Sequence, residues 1–271
     1  MPNNWNTLVQ HTLFINLLER KDRLEHIQKE MKRVGISNPQ RVNAIKMPMG
    51  VLGCTLSHIN CLERAKKEGW KHVFVCEDDA VFTNIPLLQQ NVNKWVQSKV
   101  VWDVLIIGGN NQEPFSRLAS EIPAIQIHNC QTTTAYIVQQ HYYDRLIQNF
   151  KESAANLMRY PQLKHLFAVD IYWKKLQITD SWFMTIPATV SQLEGHSDIE
   201  GRVISYNQMM LDYEKTFMKL IPSAGSAGSA GPVKMGSMSS MGFMGSVGTN
   251  IGLGISMKSP TGFPPSMNLL S

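Results

Sequence analysis

The feature that most constrains this chain is its alternation of short apolar runs with segments of helical period. TLFINL (12–17) reads as an apolar strand, and DRLEHIQKEMKRVG follows it with Leu24, Ile27, Met31 and Val34 at helical spacing, stopped by Gly35. TLSHINCLERAKKEG repeats the device, with Leu56, Ile59, Leu62 and Ala65 on one side and Gly69 as its stop, before KHVFVC returns to a strand pattern. VWDVLIIGG (101–109) is a third strand ending in a glycine pair, and AIQIH and TTAYIVQ read as two more. Strands that alternate with helices are covered on their faces by those helices. The expected fold is therefore α/β, with a mostly parallel central sheet.

Of 271 residues, 43% are hydrophobic and 17% charged, enough for a substantial core. No run approaches the ~18 consecutive apolar residues of a membrane-spanning helix, and MPNNWNTLVQHTLFIN lacks a basic segment leading into an apolar one. We expect no transmembrane segment and a cytoplasmic setting, bacterial or viral rather than a secretory lumen. Cys54, Cys61, Cys76 and Cys130 are too few and too irregular for a disulfide framework, so free thiols are expected. The net charge of +5 is not gathered into a basic block interleaved with aromatics, which argues against nucleic acid as a partner. A composition shift at Ile221-Pro222 divides the chain: residues 1–221 are expected to fold as one domain. Residues 222–271 hold 10 of the 18 glycines and are otherwise mostly Ser, Met and Ala, too little side chain to offset the entropy of ordering. This stretch is expected to be a disordered tail, a flexible extension open to weak protein contacts.

VFVCEDDAVF (73–82) sets Glu77, Asp78 and Asp79 directly after an apolar strand. In open α/β sheets ligands bind outside the carboxyl ends of strands. Adjacent carboxylates repel, and the alternation of an extended chain lets Glu77 and Asp79 point the same way. A divalent cation relieves such a cluster, and a few hard oxygen donors suit Mg²⁺ or Mn²⁺ with positions left for phosphate oxygens. A solvated or capping role for the acids is the competing interpretation. Cys54, His58 and Cys61 fall at i, i+4 and i+7, one face of a helix, but no fourth ligand is evident, so the cysteines read as small buried hydrophobes rather than a zinc site.

The segment GCTLSHINCLERAKKEGWKHVFVCEDDAVF resembles the signature of the family 25 glycosyltransferases, which include lipooligosaccharide and procollagen galactosyltransferases. Gly53, Cys54, Ser57 and His58 match its Gly-Cys-x-x-Ser-His pattern, Glu77-Asp78-Asp79 its acidic triplet, and FINLLERKDR its opening Ile-Asn-Leu-x-x-Arg-x-x-Arg. WDVLIIGG, TTAYIV, AVDIYW and SQLEGHSDIEG are similar to further blocks, so the resemblance runs over roughly residues 8–205 and leaves the tail without a counterpart. Cys61-Leu62 stands where the family often has an aromatic, and Cys76 where its strand usually has Leu.

This resemblance implies a GT-A type, Rossmann-like domain that binds a UDP-sugar beside Mn²⁺ or Mg²⁺, with the acidic triplet in the place of an Asp-x-Asp motif. It further implies an inverting transfer of a hexose, galactose or glucose, to a saccharide or protein hydroxyl. Asp79 and Glu77 are the expected metal ligands, His196 in the Gly-flanked loop a third, and Asp78 a contact to ribose or to metal-bound water. Asp170 is the expected general base, with a helix N-cap for IYWKKLQ as the alternative. Ser57 and His58, placed near a helix start, are expected at the donor phosphates. Asn16, Arg20 and Arg23, at or just after the end of the first strand, suit the nucleotide, although the two arginines equally fit a solvated helix face. Gly108 and Gly109 are expected to permit close backbone approach at a strand end. A catalytically degenerate GT-A domain that binds nucleotide or glycan, or serves as a scaffold, is the alternative function.

Overall fold

The computed structural model describes residues 4–197, 202–204 and 206–219, without the side chains of 195–197, 202–204 and 218–219. The expected tail lies outside the described residues. The helices are α1 (Asn4–Leu8), α2 (Lys21–Arg33), α3 (Gly50–Lys67), α4 (Ile85–Gln97), α5 (Tyr143–Arg159), α6 (Lys164–Phe167), α7 (Val169–Tyr172), α8 (Lys174–Thr179), α9 (Asn207–Leu211) and α10 (Thr216–Lys219). The strands are β1 (Thr12–Asn16), β2 (Gln40–Asn43), β3 (His72–Glu77), β4 (Ala80–Phe82), β5 (Val104–Asn111), β6 (Phe115–Arg117), β7 (Ala124–Ile127), β8 (Cys130–Gln139), β9 (Trp182–Thr185), β10 (Val190–Gln192), β11 (Gly195–Ser197) and β12 (Arg202–Ile204).

Eight strands form one sheet in the order β2-β1-β3-β8-β5-β9-β7-β6. β1 runs parallel to β2 and β3, and β5 to β9, while β8 is antiparallel to both its neighbours and β7 to both of its own. Six strands thus point one way and two the other, which makes the sheet mixed and mostly parallel. The reversed pair, β7 and β8, are the strands read from AIQIH and TTAYIVQ. No helix among the described residues is long and apolar enough to cross a membrane.

The apolar strands are buried on both faces because side chains alternate. Leu13, Ile15, Val73 and Val75 enter one core with Leu62 of α3 and Phe150 of α5. Phe14, Phe74 and Cys76 enter the other with Trp5 of α1, Ile27 and Met31 of α2 and Trp95 of α4. Three layers, helix, sheet and helix, follow from one period-two pattern. Local signals set the helix ends: Gly35 and Gly69 stand at φ +81° and +65°, where a side chain is unfavourable, just past α2 and α3. Asn84 caps α4, its side chain accepting from Leu87 N at 3.1 Å. Glu30 breaks the apolar face of α2, yet it is only 5% exposed because its Oε2 accepts from Phe82 N at 2.8 Å. That bond ties α2 to β4, directly after the acidic turn.

Candidate active site

β1 and β3 are parallel neighbours, so their carboxyl ends set Asn16 and Glu77 side by side, with Asp78 and Asp79 in the turn into β4. Asn16 Nδ2 donates to Asp78 Oδ2 at 2.6 Å and to the Arg20 carbonyl at 3.1 Å. Arg23, one turn into α2, bridges two of the acids through Nη1, which lies 3.1 Å from Asp78 Oδ1 and 2.9 Å from Asp79 Oδ2. A guanidinium therefore already neutralises part of the cluster.

Glu77 is held from the opposite side. Because β8 runs antiparallel to β3, its first residues arrive at the carboxyl end of β3, and Thr133 Oγ1 donates to Glu77 Oε1 at 2.5 Å. His58 Nε2 donates to the same oxygen at 3.3 Å, with Nδ1 turned to the hydroxyl of Tyr136 at 2.8 Å. The strand reversal thus supplies two groups, Thr133 and Tyr136, that lie more than fifty residues from Glu77 in sequence.

These surroundings push the acids apart. Burial acts against the charge of Glu77, but the hydrogen bonds from His58 and Thr133 and the charge on Arg23 hold its carboxyl below the usual range. Burial and the charges of Glu77 and Asp78 push Asp79 up to about 7, with Arg23 opposing. Burial also raises Asp78, against the bonds from Asn16 and Arg23. Two buried oxygens, Asp79 Oδ1 and Asn16 Oδ1, have no hydrogen-bond partner among the described residues. Orphaned hard oxygens in a surplus of negative charge fit Mg²⁺ or Mn²⁺, and Asp79, Glu77 and Asn16 are the residues that would hold it.

Asp170 lies in the first turn of the short helix α7. Its Oδ2 accepts from Thr132 N at 3.0 Å, a bond to β8 rather than to its own helix, so it does not cap that helix. Burial raises its carboxyl, the Thr132 N–H opposes, and the charge on Glu77 adds to the rise. Thr132 stands at φ +76°, an unfavourable region for a branched residue that marks imposed backbone geometry. A cleft of about 770 Å³ takes in Asn16, Arg23, His58, Asp79, Thr133 and Asp170, the size of a small-molecule site.

Other sequence-read positions fall differently. Helix α3 begins at Gly50, so His58 lies two turns inside it, 1% exposed, and meets no free N–H of a helix terminus. Ser57 lines the cleft, but its hydroxyl donates to the Gly53 carbonyl at 2.7 Å and accepts from Ile45 N at 2.8 Å, tying the 44–49 loop to α3. Arg20 lines the cleft and pairs with Asp22 at 2.8 Å. β5 continues past the glycine pair to Asn111, and Gly108 and Gly109 sit where its register with β8 shifts. A Cβ on Gly108 would lie 2.6 Å from Val190 Cγ1, and one on Gly109 2.8 Å from Cys130 Sγ, so both serve packing away from the cleft. His196 stands opposite Val203 in the β11–β12 ribbon; its side chain lies outside the described residues, as do residues 198–201. Sequence reasoning missed Thr132, Thr133 and Tyr136. Their block was legible as a strand, but its direction was not.

Comparison with known proteins adds the following. Residues 38–170 match the model of Glycosyltransferase family 25 (LPS biosynthesis protein), a span running from β2 to Asp170. No curated protein matches the chain. Among solved structures, a mannose-1-phosphate geranyltransferase from Thermus thermophilus overlaps at TM-score 0.38 and 10% identity, covering 67% of this chain and 61% of its own. A glycosyltransferase involved in glycosylation of the major capsid of PBCV-1 overlaps at 0.34 and 10%, covering 65% and 92%. A Drosophila beta-1,4-galactosyltransferase 7 in complex with manganese, UDP-Gal and xylobiose overlaps at 0.35 and 8%, covering 80% and 82%. At these scores the overlaps carry no argument about function. Residues 38–170, just under half of the chain and including the acidic triplet, are thus similar to glycosyltransferase family 25.

Proposed function

We propose that this protein is a glycosyltransferase that moves a hexose, galactose or glucose, from a UDP-sugar to a saccharide or protein hydroxyl with inversion, in the presence of Mn²⁺ or Mg²⁺. The observation that carries the reading is Asp79: a buried carboxylate with one oxygen lacking a partner among the described residues, beside Glu77, at the carboxyl end of a parallel strand. When bound, the cation supplies positive charge to the diphosphate as the sugar leaves it. Asp79 and Glu77 hold it, while Asn16 and Arg23 fix Asp78 and set the charge left for it. Asp170, with its carboxyl raised by burial, takes the proton of the acceptor hydroxyl, and Thr132 N–H holds its orientation. His196 and Ser57 belong to the donor site in this reading, Ser57 through the 44–49 loop it anchors.

The test is hydrolysis of UDP-sugars with Mn²⁺ and no acceptor, with donor binding followed in parallel. Asp79→Ala is expected to lose both signals. Asp170→Asn is expected to keep donor binding and lose transfer by about 10²–10⁴-fold; undiminished transfer in that variant removes Asp170 as the base. A second reading has one observation in its favour. Arg23 already places a cation between Asp78 and Asp79, as suits a domain that binds nucleotide or glycan without transferring sugar. Donor binding without Mn²⁺-dependent turnover would select it.

A further inference from the structure

The i, i+4 pair Cys54 and His58 does acquire a third ligand, though not from Cys61. Cys61 is fully buried in the core, whereas the end of β3 brings Glu77 against the helix. Cys54 Sγ, a ring nitrogen of His58 and a carboxylate oxygen of Glu77 all lie within 4.8 Å of one another. His58 Nε2 and Glu77 Oε1 are 3.3 Å apart. Zinc bonds of 2.0–2.1 Å at a tetrahedral angle place two such donors about 3.4 Å apart, so one edge of a tetrahedron is already formed. A sulfur at about 2.3 Å from the metal would stand about 3.6 Å from each, a shift within the swing of a cysteine side chain.

The surroundings complete the donor set. The Tyr136 hydroxyl meets His58 Nδ1 at 2.8 Å and fixes the ring with Nε2 toward Glu77, as an outer partner does for a ligating histidine. The cleft opens onto all three residues, which leaves room for water as a fourth ligand. Sulfur and imidazole favour Zn²⁺ or Co²⁺ over Mn²⁺ or Mg²⁺, the reverse of the oxygen donors at Asp78 and Asp79.

We propose that Cys54, His58 and Glu77 form a binding site for Zn²⁺, chemically distinct from the oxygen-only acids beside it and sharing Glu77 with them. Binding releases the thiol proton of Cys54 to solvent and moves the imidazole proton of His58 from Nε2 to Nδ1, where it donates to Tyr136. Occupation withdraws Glu77 from the donor site, so Zn²⁺ blocks sugar transfer. This last consequence rests on the transferase reading; the site itself does not.

The experiment titrates metal-free, full-length protein with Co²⁺ in the absence of any nucleotide sugar and reads the thiolate-to-cobalt charge-transfer absorption. The expected result is a band that saturates near one equivalent, is bleached by Zn²⁺, is lost in Cys54→Ser and is retained in Asp79→Asn. Absence of the band in folded protein, or its persistence in Cys54→Ser, overturns the site. Should circular dichroism show Cys54→Ser unfolded, His58→Gln is expected to weaken cobalt binding roughly tenfold or more, and unchanged affinity overturns the site equally. Because no donor is present, failure here and failure of Mn²⁺-dependent hydrolysis are separate outcomes.

Discussion

Asp79 weakens the metal-free fold that surrounds it. Its carboxyl is pushed from 3.8 up to about 7, first by burial and then by Glu77. Between about pH 4 and 7 the folded chain keeps a proton that the unfolded chain has released, so this residue makes stability fall as pH rises across that window. Asp79→Asn removes both the charge and the slope. In chelator at pH 7.5 the variant is expected to melt above the wild type by several degrees, corresponding to about 1–2 kcal/mol, and the difference is expected to vanish near pH 4. A melting temperature unchanged at pH 7.5 would contradict the account. The same substitution removes a proposed metal ligand, so the side chain that stabilises the empty site is the one that disables it.

At the scale of elements, α3 depends on a glycine. A Cβ on Gly53 would lie 2.2 Å from the Ile45 carbonyl oxygen and 3.3 Å from Met47 N, both backbone atoms. Gly53→Ala is therefore expected to push the 44–49 loop off the helix and disturb the two bonds of the Ser57 hydroxyl. The cost is on the order of 1–3 kcal/mol, the range of overpacked sites, read as a lower melting temperature with weaker donor binding; an unchanged melting temperature would show that the loop yields freely. The sequence marked Gly53 only as part of a family pattern, because nothing in a linear pattern says which backbone lies against it. The apolar periods of α2 and α3 and the runs of β1 and β3 were legible since each states its own burial. α3 was read from Thr55, five residues late, because its first turn lacks a capping side chain. The sign of β8 was not legible: an apolar strand looks the same in either direction. Thr133 and Tyr136 were missed for that reason, and with them the partners of Glu77 and His58.

On the scale of the molecule, composition leads us to propose that residues 222–271 contribute nothing to the stability of the folded part. A chain ended at Ile221 is expected to melt within about 2 °C of the full chain and to bind donor equally well; a larger drop would give the tail a structural role. The sheet makes a second demand. β8 is the seam between two blocks, β2-β1-β3 on one side and β5-β9-β7-β6 on the other. Amide hydrogens of Ala135–Val138, a stretch of strand paired with a neighbour on each flank, are expected to exchange in the slowest class, and those of the β4–β10 ribbon faster; the opposite order would mean the blocks separate before the ribbon does. The strand that closes this seam also delivers Thr133 to Glu77 and Thr132 to Asp170. Completion of the chemistry is thus the same event as closure of the sheet: a chain with its two halves formed but unjoined would keep Asp78 and Asp79 on Asn16 and Arg23 yet lack the Thr133 bond to Glu77 and the Thr132 bond to Asp170, so a half-joined form of this protein should be inert by construction.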